Sequence, residues 1–246
     1  MGLLINKVCF VSGGAGSIGL ASARRFLDEG AKVDAAAASL AALGTDRVFG
    51  QACDVTDSQM VKAAFEALVA RWGKIDVIFS NAGDPGHNAW LADYPEEAFE
   101  RSLAVHARGA FLACKHGAPR MNDGASIIIT SSVGAMRGGQ GINMAYITAK
   151  HAQTGVMRVA ARALAPRGIR VNTLNPGPVD NEFQSGIERD MGALLGVDAT
   201  AQLNQIIPLK RHASAHEIAG SALCLASDLS SFVTGTVQLV DGGLMS

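Results

Sequence analysis

Short runs of apolar, largely β-branched residues alternate with longer amphipathic stretches from one end of the chain to the other. Residues 8–11 (Val-Cys-Phe-Val) precede a glycine cluster, and residues 18–29 then carry apolar positions at helical spacing. Residues 75–79, 126–130 and 169–174 read as further strands with helices between them, and residues 237–240 close the series. Strands that are apolar along their whole length are buried on both faces, and helical crossovers between them make neighbours parallel. The pattern predicts an α/β fold: a doubly wound, mostly parallel sheet flanked by helices. With no internal repeat and no linker, it predicts one domain over residues 1–246. Residues 176–197 follow a strand and read as irregular, rich in glycine and polar side chains. Ligands of open α/β sheets bind beyond the carboxyl ends of strands, so a loop over about residues 178–205 is the expected substrate cover.

Composition narrows the class. The 246 residues are 48% hydrophobic and only 17% charged, enough apolar material for a sizeable core. The net charge of −1 comes without a basic block or an acidic tail, which argues against a nucleic-acid partner. The first residues run directly into a strand without the pattern of a signal peptide, and no apolar run approaches the roughly 18 residues of a membrane span. Cys9, Cys53, Cys114 and Cys224 are scattered, so they read as reduced residues of a cytoplasmic protein, with no metal-ligand spacing.

Two local patterns carry chemistry. Ser12-Gly-Gly-Ala-Gly-Ser-Ile-Gly19 joins the first strand to the first helix. Glycines there allow a tight turn and let a pyrophosphate approach the positive end of the helix. Tyr146 and Lys150 stand four residues apart on a predicted helix, hence on one face. A phenol with an ordinary pKa of about 10 hardly ionises at neutral pH, and a neighbouring ammonium favours its phenolate. The pair therefore reads as a general acid/base, against the blander reading of a solvated helix face.

Together with further motifs, these residues resemble the short-chain dehydrogenase/reductase family over essentially the whole chain. The glycine loop resembles the family's T-G-x-x-x-G-x-G, with Ser12 in place of threonine and Ser17 in place of the middle glycine. Asp54-Val55 resembles the pair that contacts adenine, and Asn81-Ala82-Gly83 the motif after the fourth strand. Ser132, Tyr146 and Lys150 fall at the family's catalytic positions, Asn175-Pro176-Gly177 at the motif beside the nicotinamide, and Val240-Asp-Gly-Gly243 at the C-terminal signature. The resemblance implies a Rossmann-type fold binding NAD or NADP. Gly13, Ile18, Gly19, Val179 and Asn181 are expected to hold that cofactor with the residues just named. It implies hydride transfer to or from a ketone or secondary alcohol, and a homotetramer. Tyr146 would move the proton, Ser132 would steady the substrate oxygen, and Lys150 would lower the tyrosine pKa and bind the nicotinamide ribose. Ser131 is the rival to Ser132, which keeps the family register without a gap.

Three departures stand out. His106 occupies the place of the family's fourth catalytic residue, an asparagine; it is expected either to serve the proton relay to lysine or to titrate near pH 6.5. Residues 34–39, Asp-Ala-Ala-Ala-Ala-Ser, read as helix where a second strand should continue to the residue that reads the 2′ position of the adenosine ribose. The segment from Val33 to Asp54 is shorter than the family's: either the sheet edge is shortened or a piece is missing from the sequence. The absence of arginine and lysine from the glycine loop favours NAD over NADP. Asn181 stands where the family often has a threonine on the carboxamide. His87, Trp90, Met144, Phe183 and Met191 suggest a mostly apolar substrate pocket, better matched to a neutral ketone or alcohol than to an acyl-carrier thioester. A non-catalytic dinucleotide-binding redox sensor on the same fold is the alternative reading. A tyrosine-using enzyme without hydride transfer, such as a dehalogenase or dehydratase, is a third; such enzymes tend to lose the glycine loop or the lysine.

Overall fold

The computed structural model describes residues 2–246. Seven strands form one sheet in the order β3-β2-β1-β4-β5-β6-β7, with every neighbouring pair parallel. The strands are β1 (Val8–Val11), β2 (Lys32–Asp34), β3 (Val48–Phe49), β4 (Ile75–Ser80), β5 (Met121–Thr130), β6 (Arg170–Pro176) and β7 (Val237–Val240). Between and after them lie α1 (Ser17–Asp28), α2 (Ala38–Ala41), α3 (Ser58–Trp72), α4 (Glu96–Leu103), α5 (Gly109–Gly117), α6 (Met144–Leu164), α7 (Glu182–Leu195), α8 (Ala199–Ile206) and α9 (Ala215–Ala226).

Side-chain alternation along each strand sorts the core into two layers. Cys9, Val11, Val77, Phe79, Ile128 and Leu174 pack against α1 and α9 through Phe26, Leu27, Ile218, Ala222 and Leu223. The opposite set, including Phe10, Ile78, Ile127, Ile129 and Val171, packs against α3, α5 and α6 through Phe65, Leu68, Ala113, Met157 and Ala161. Sealing a side chain such as Phe26 or Phe65 from water stabilises the fold by about 1.5–3 kcal/mol. The order reverses between β1 and β4, which places the ends of both strands at one crevice.

Two expectations are corrected. Asp34 ends β2 instead of starting a helix: it pairs with Phe10 of β1 and Phe49 of β3. Strand pairing thus overrides the helical preference of the alanine run, leaving a single helical turn at Ala38–Ala41. The two-residue β3 gave no strand signal of its own. The segment expected to be irregular after β6 is largely the helix α7. Asn181 caps its start by accepting from the Gln184 amide at 2.8 Å, and Gly196, at φ 69°, ends it.

Candidate active site

The loop after β1 turns on Gly13, whose φ is +66°. A Cβ there would stand 2.9 Å from the Ala82 Cα, and one on Gly19 only 2.2 Å from the Gly13 carbonyl oxygen, so both positions exclude a side chain. Ser12 ties this loop to the end of β4. Its Oγ accepts from the backbone amides of Asn81 (2.9 Å) and Ala82 (3.1 Å), while Asn81 Nδ2 donates to the Ser12 carbonyl at 3.2 Å. Thr130, at the end of β5, donates to Asn81 Oδ1. The N-terminus of α1 has no side-chain cap, so its amides remain available to an anion. Glycine approach and an uncapped helix end fit the pyrophosphate of a dinucleotide.

A cavity of about 610 Å³ opens at this crevice. It is lined by Gly13, Ser17 and Ile18 of the glycine loop, Asn81 to Gly83, Ser132, Tyr146, Lys150, His106, Pro176, Gly177, Val179 and Asn181. Ser12 and Gly19 shape the loop behind it. Asp54 and Val55 do not line it. The Asp54 carboxylate accepts from the Thr56 amide and hydroxyl, both at 2.8 Å, and Val55 packs against the backbone of Gly109. Of the expected apolar wall, Phe183 and Met191 face the cavity. His87 stacks edge-on against Tyr94, while Trp90 and Met144 are exposed elsewhere. The sequence reading missed Ile147, Ile187, Leu203 and Ile206 of the lining. Helical spacing, of Ile147 on α6, Ile187 on α7, and Leu203 and Ile206 on α8, was the available signal.

The two serines after β5 separate cleanly. Ser131 Oγ is buried and donates to the Lys150 carbonyl at 3.1 Å, a satisfied strand-end hydroxyl. Ser132 Oγ accepts from the Gly134 amide at 3.0 Å and lines the cavity. Asn175 holds the Ser132 backbone by donating to its carbonyl at 2.7 Å.

Tyr146 sits in the first turn of α6, where Asn143 caps the helix by accepting from the Tyr146 amide at 3.3 Å. Lys150, one turn on, is almost fully buried. Its Nζ donates to the Thr130 carbonyl at 2.9 Å and lies 5.2 Å from the Tyr146 ring centre. Burial dominates both groups. It brings the Lys150 pKa down to about 7 and raises that of Tyr146, with hydrogen bonding by Ser132 working the other way. In the protein alone desolvation outweighs the Ser132 hydrogen bond, so the tyrosine pKa lies above its ordinary value.

His106 lies in a π-helical turn, Ala104–Arg108, between α4 and α5. Its ring stands perpendicular to that of Tyr146, with centres 5.5 Å apart. Nε2 is 2.8 Å from the Asp84 carbonyl oxygen and 3.2 Å from the Asp84 amide nitrogen. One ring nitrogen cannot both donate and accept. The shorter contact assigns the proton to Nε2, which leaves Nδ1 as a bare acceptor, buried and without a partner. Burial, reinforced by the charge of Lys150, lowers the His106 pKa to about 3, so titration near pH 6.5 is corrected to a ring that stays neutral. Gln153 donates to the His106 carbonyl at 3.2 Å and so props the turn open.

Two of the unusual residues prove to be one feature. Asn181 Nδ2 donates to Ser17 Oγ at 2.9 Å, tying the start of α7 to the glycine loop across 164 positions of sequence.

Known proteins resemble this chain in sequence and in fold. A family model described as enoyl-(acyl carrier protein) reductase matches residues 13–245. Momilactone A synthase of Oryza sativa subsp. japonica is 40% identical over 253 residues, covering 98% of this chain and 90% of that protein. Short-chain dehydrogenase reductase 5 of Arabidopsis thaliana is 37% identical, covering 98% and 95%. A solved structure, a blue fluorescent protein from a metagenomic library in complex with NADPH, superposes with a TM-score of 0.87 at 30% identity over 99% of this chain and 100% of that one. By full-length sequence similarity and a shared parallel sheet, the chain belongs to the short-chain dehydrogenase/reductase family of oxidoreductases.

Proposed function

We propose that the protein interconverts a ketone and a secondary alcohol, using a nicotinamide cofactor as hydride donor or acceptor and Tyr146 as general acid/base. The observation that carries this reading is the convergence of Ser132, Tyr146 and Lys150 on the cavity that also meets the glycine loop. A bound nicotinamide supplies the hydride or takes it up. Gly13, Ser17 and Ile18 hold the pyrophosphate against the start of α1. Lys150, already fixed by the Thr130 carbonyl, turns its remaining donors to the ribose. Pro176 to Asn181 bound the nicotinamide end.

In reduction Tyr146 gives its proton to the carbonyl oxygen, and Ser132 donates a hydrogen bond to that oxygen as charge builds on it. A tyrosine whose pKa is raised by burial is fully protonated at neutral pH and suits this direction. Oxidation needs the phenolate and gains with rising pH. His106 remains neutral and offers its free Nδ1 to the proton path as an acceptor, never as a cation. The walls contributed by Ile147, Phe183, Ile187, Met191, Leu203 and Ile206 are apolar, and they suit a neutral carbonyl compound. No cationic side chain lies in the glycine loop to meet a 2′-phosphate, which favours NAD. The protein acts as a homotetramer.

The test follows reduced-nicotinamide absorbance with NAD and NADP in turn, against a panel of ketones, secondary alcohols and an enoyl thioester. Turnover of ketones and alcohols, faster with NAD, is expected. Cofactor binding without turnover of any of them would favour the redox-sensor reading, and turnover of the enoyl thioester alone would move the substrate class to acyl-carrier chemistry.

A further inference from the structure

Away from the reacting groups, a buried polar cluster joins the two helices that cover the cavity. Glu188, on α7, is 5% exposed. Its Oε1 accepts from Gln184 Nε2 at 2.8 Å and from His212 Nε2 at 2.6 Å, and its Oε2 accepts from the Thr200 hydroxyl. His212 Nδ1 in turn meets Asn204 Oδ1 at 2.8 Å. One carboxylate thus takes donors from α7 itself, from α8, and from the segment leading into α9. That segment is the fixed point: Ala213 bonds the backbone at Pro178 and Asp180, at the base of α7, at 3.0 and 2.8 Å.

A buried carboxylate is costly, and an apolar side chain would hold two helices together at least as firmly. What the two directional hydrogen bonds that leave the helix, from Thr200 and His212, add is a defined rotation. On α7 the apolar side chains that face the cavity are Phe183, Ile187 and Met191, beside Gln184 of the cluster itself, and neither Glu188 nor His212 lines it. Turning α7 about its axis would swing those three side chains relative to Tyr146, while Ser132 and Lys150 stay held by Gly134, Asn175 and the Thr130 carbonyl. We propose that Glu188 and His212 are positioning residues for the substrate: their cluster sets the rotation of α7, and with it the shape of the apolar wall. The inference rests on the reading of this cavity as the ketone or alcohol site.

The experiment compares full-length wild type, Glu188→Ala, Glu188→Gln and Thr200→Val with bound NAD, by amide hydrogen exchange and steady-state kinetics on the best substrate of the panel above. The Glu188→Gln side chain can keep the geometry, with its oxygen accepting from His212 and Gln184 and its amide donating to a rotated Thr200 hydroxyl. In Glu188→Ala, exchange across residues 182–206 should rise about tenfold while that of β4, β5 and β6 is unchanged. KM should rise about tenfold with kcat held within about twofold, the mark of lost binding and not of lost chemistry. Glu188→Gln should stay close to wild type on both counts. Thr200→Val, an exposed and mild change, should shift both in the direction of Glu188→Ala, and it decides the matter if that variant does not fold. Unchanged exchange and KM in Glu188→Ala and Thr200→Val, or a Glu188→Gln as impaired as Glu188→Ala, would overturn the proposal. A wild type without turnover would instead fail the reading of the site, and the exchange data would still decide whether the cluster holds α7.

Discussion

Burial of ionisable groups sets the chemistry of single residues here. Asp34 is 1% exposed at the end of β2, and its carboxylate is met by Gln51 Nε2 at 2.6 Å. Desolvation raises its pKa to about 6, and the Gln51 hydrogen bond offsets only part of the shift. A carboxyl whose folded-state pKa is raised favours the fold while protonated. Its contribution is complete below the unfolded value of 3.8 and is lost as pH climbs to about 6. The loss amounts to about 3 kcal/mol. Asp34→Asn should therefore be more stable than wild type by about 2 kcal/mol at pH 8, with the difference shrinking below pH 6 and vanishing near pH 4. Denaturant midpoints of the two proteins at those pH values check this; a difference independent of pH would refute it. The same physics keeps His106 neutral and brings the Lys150 pKa down to about 7.

At the scale of elements, what could be read in the sequence was what is local. The glycine loop is a run of adjacent residues whose conformation only glycine tolerates, and Tyr146 and Lys150 declare themselves by helical spacing. The five longer strands carry their own apolar signal. β2 and β3 do not: three and two residues long, β2 exists through its pairing with β1 and β3 through its pairing with β2, so the alanine-rich stretch after Asp34 read as helix. α7 was read as irregular because its glycines and polar residues masked the cap at Asn181 and the apolar face of Phe183, Ile187 and Met191. The ties that assemble the site have no sequence signal at all. Ser17 with Asn181, Ser132 with Asn175, and Glu188 with His212 join positions 24 to 164 residues apart, and only the folded sheet brings them together. The burial that raises the Tyr146 pKa has no sequence signal either: spacing reveals the nearby lysine but not the desolvation.

For the whole molecule, the sheet ends at β7, and apolar side chains remain uncovered around it. Phe232 is fully exposed, with Leu229 and Leu239 also open to solvent. Exposed apolar side chains of this kind suit a contact surface, and the proposed homotetramer would place one there. Light scattering should give a four-chain mass for wild type and a smaller assembly for Phe232→Asp; a monomeric wild type would contradict it. No helix among the described residues is long and apolar enough to cross a membrane. The fold delivers the ends of β1, β4, β5 and β6 to one cavity, and the central claim is that Tyr146 moves the proton there while hydride is exchanged. The most direct measurement is the single-turnover decay of reduced-nicotinamide absorbance in wild type and Tyr146→Phe, with cofactor affinity followed in parallel by fluorescence. A rate lowered about a thousandfold with affinity unchanged is expected. A Tyr146→Phe protein that turns over within about tenfold of wild type would contradict it.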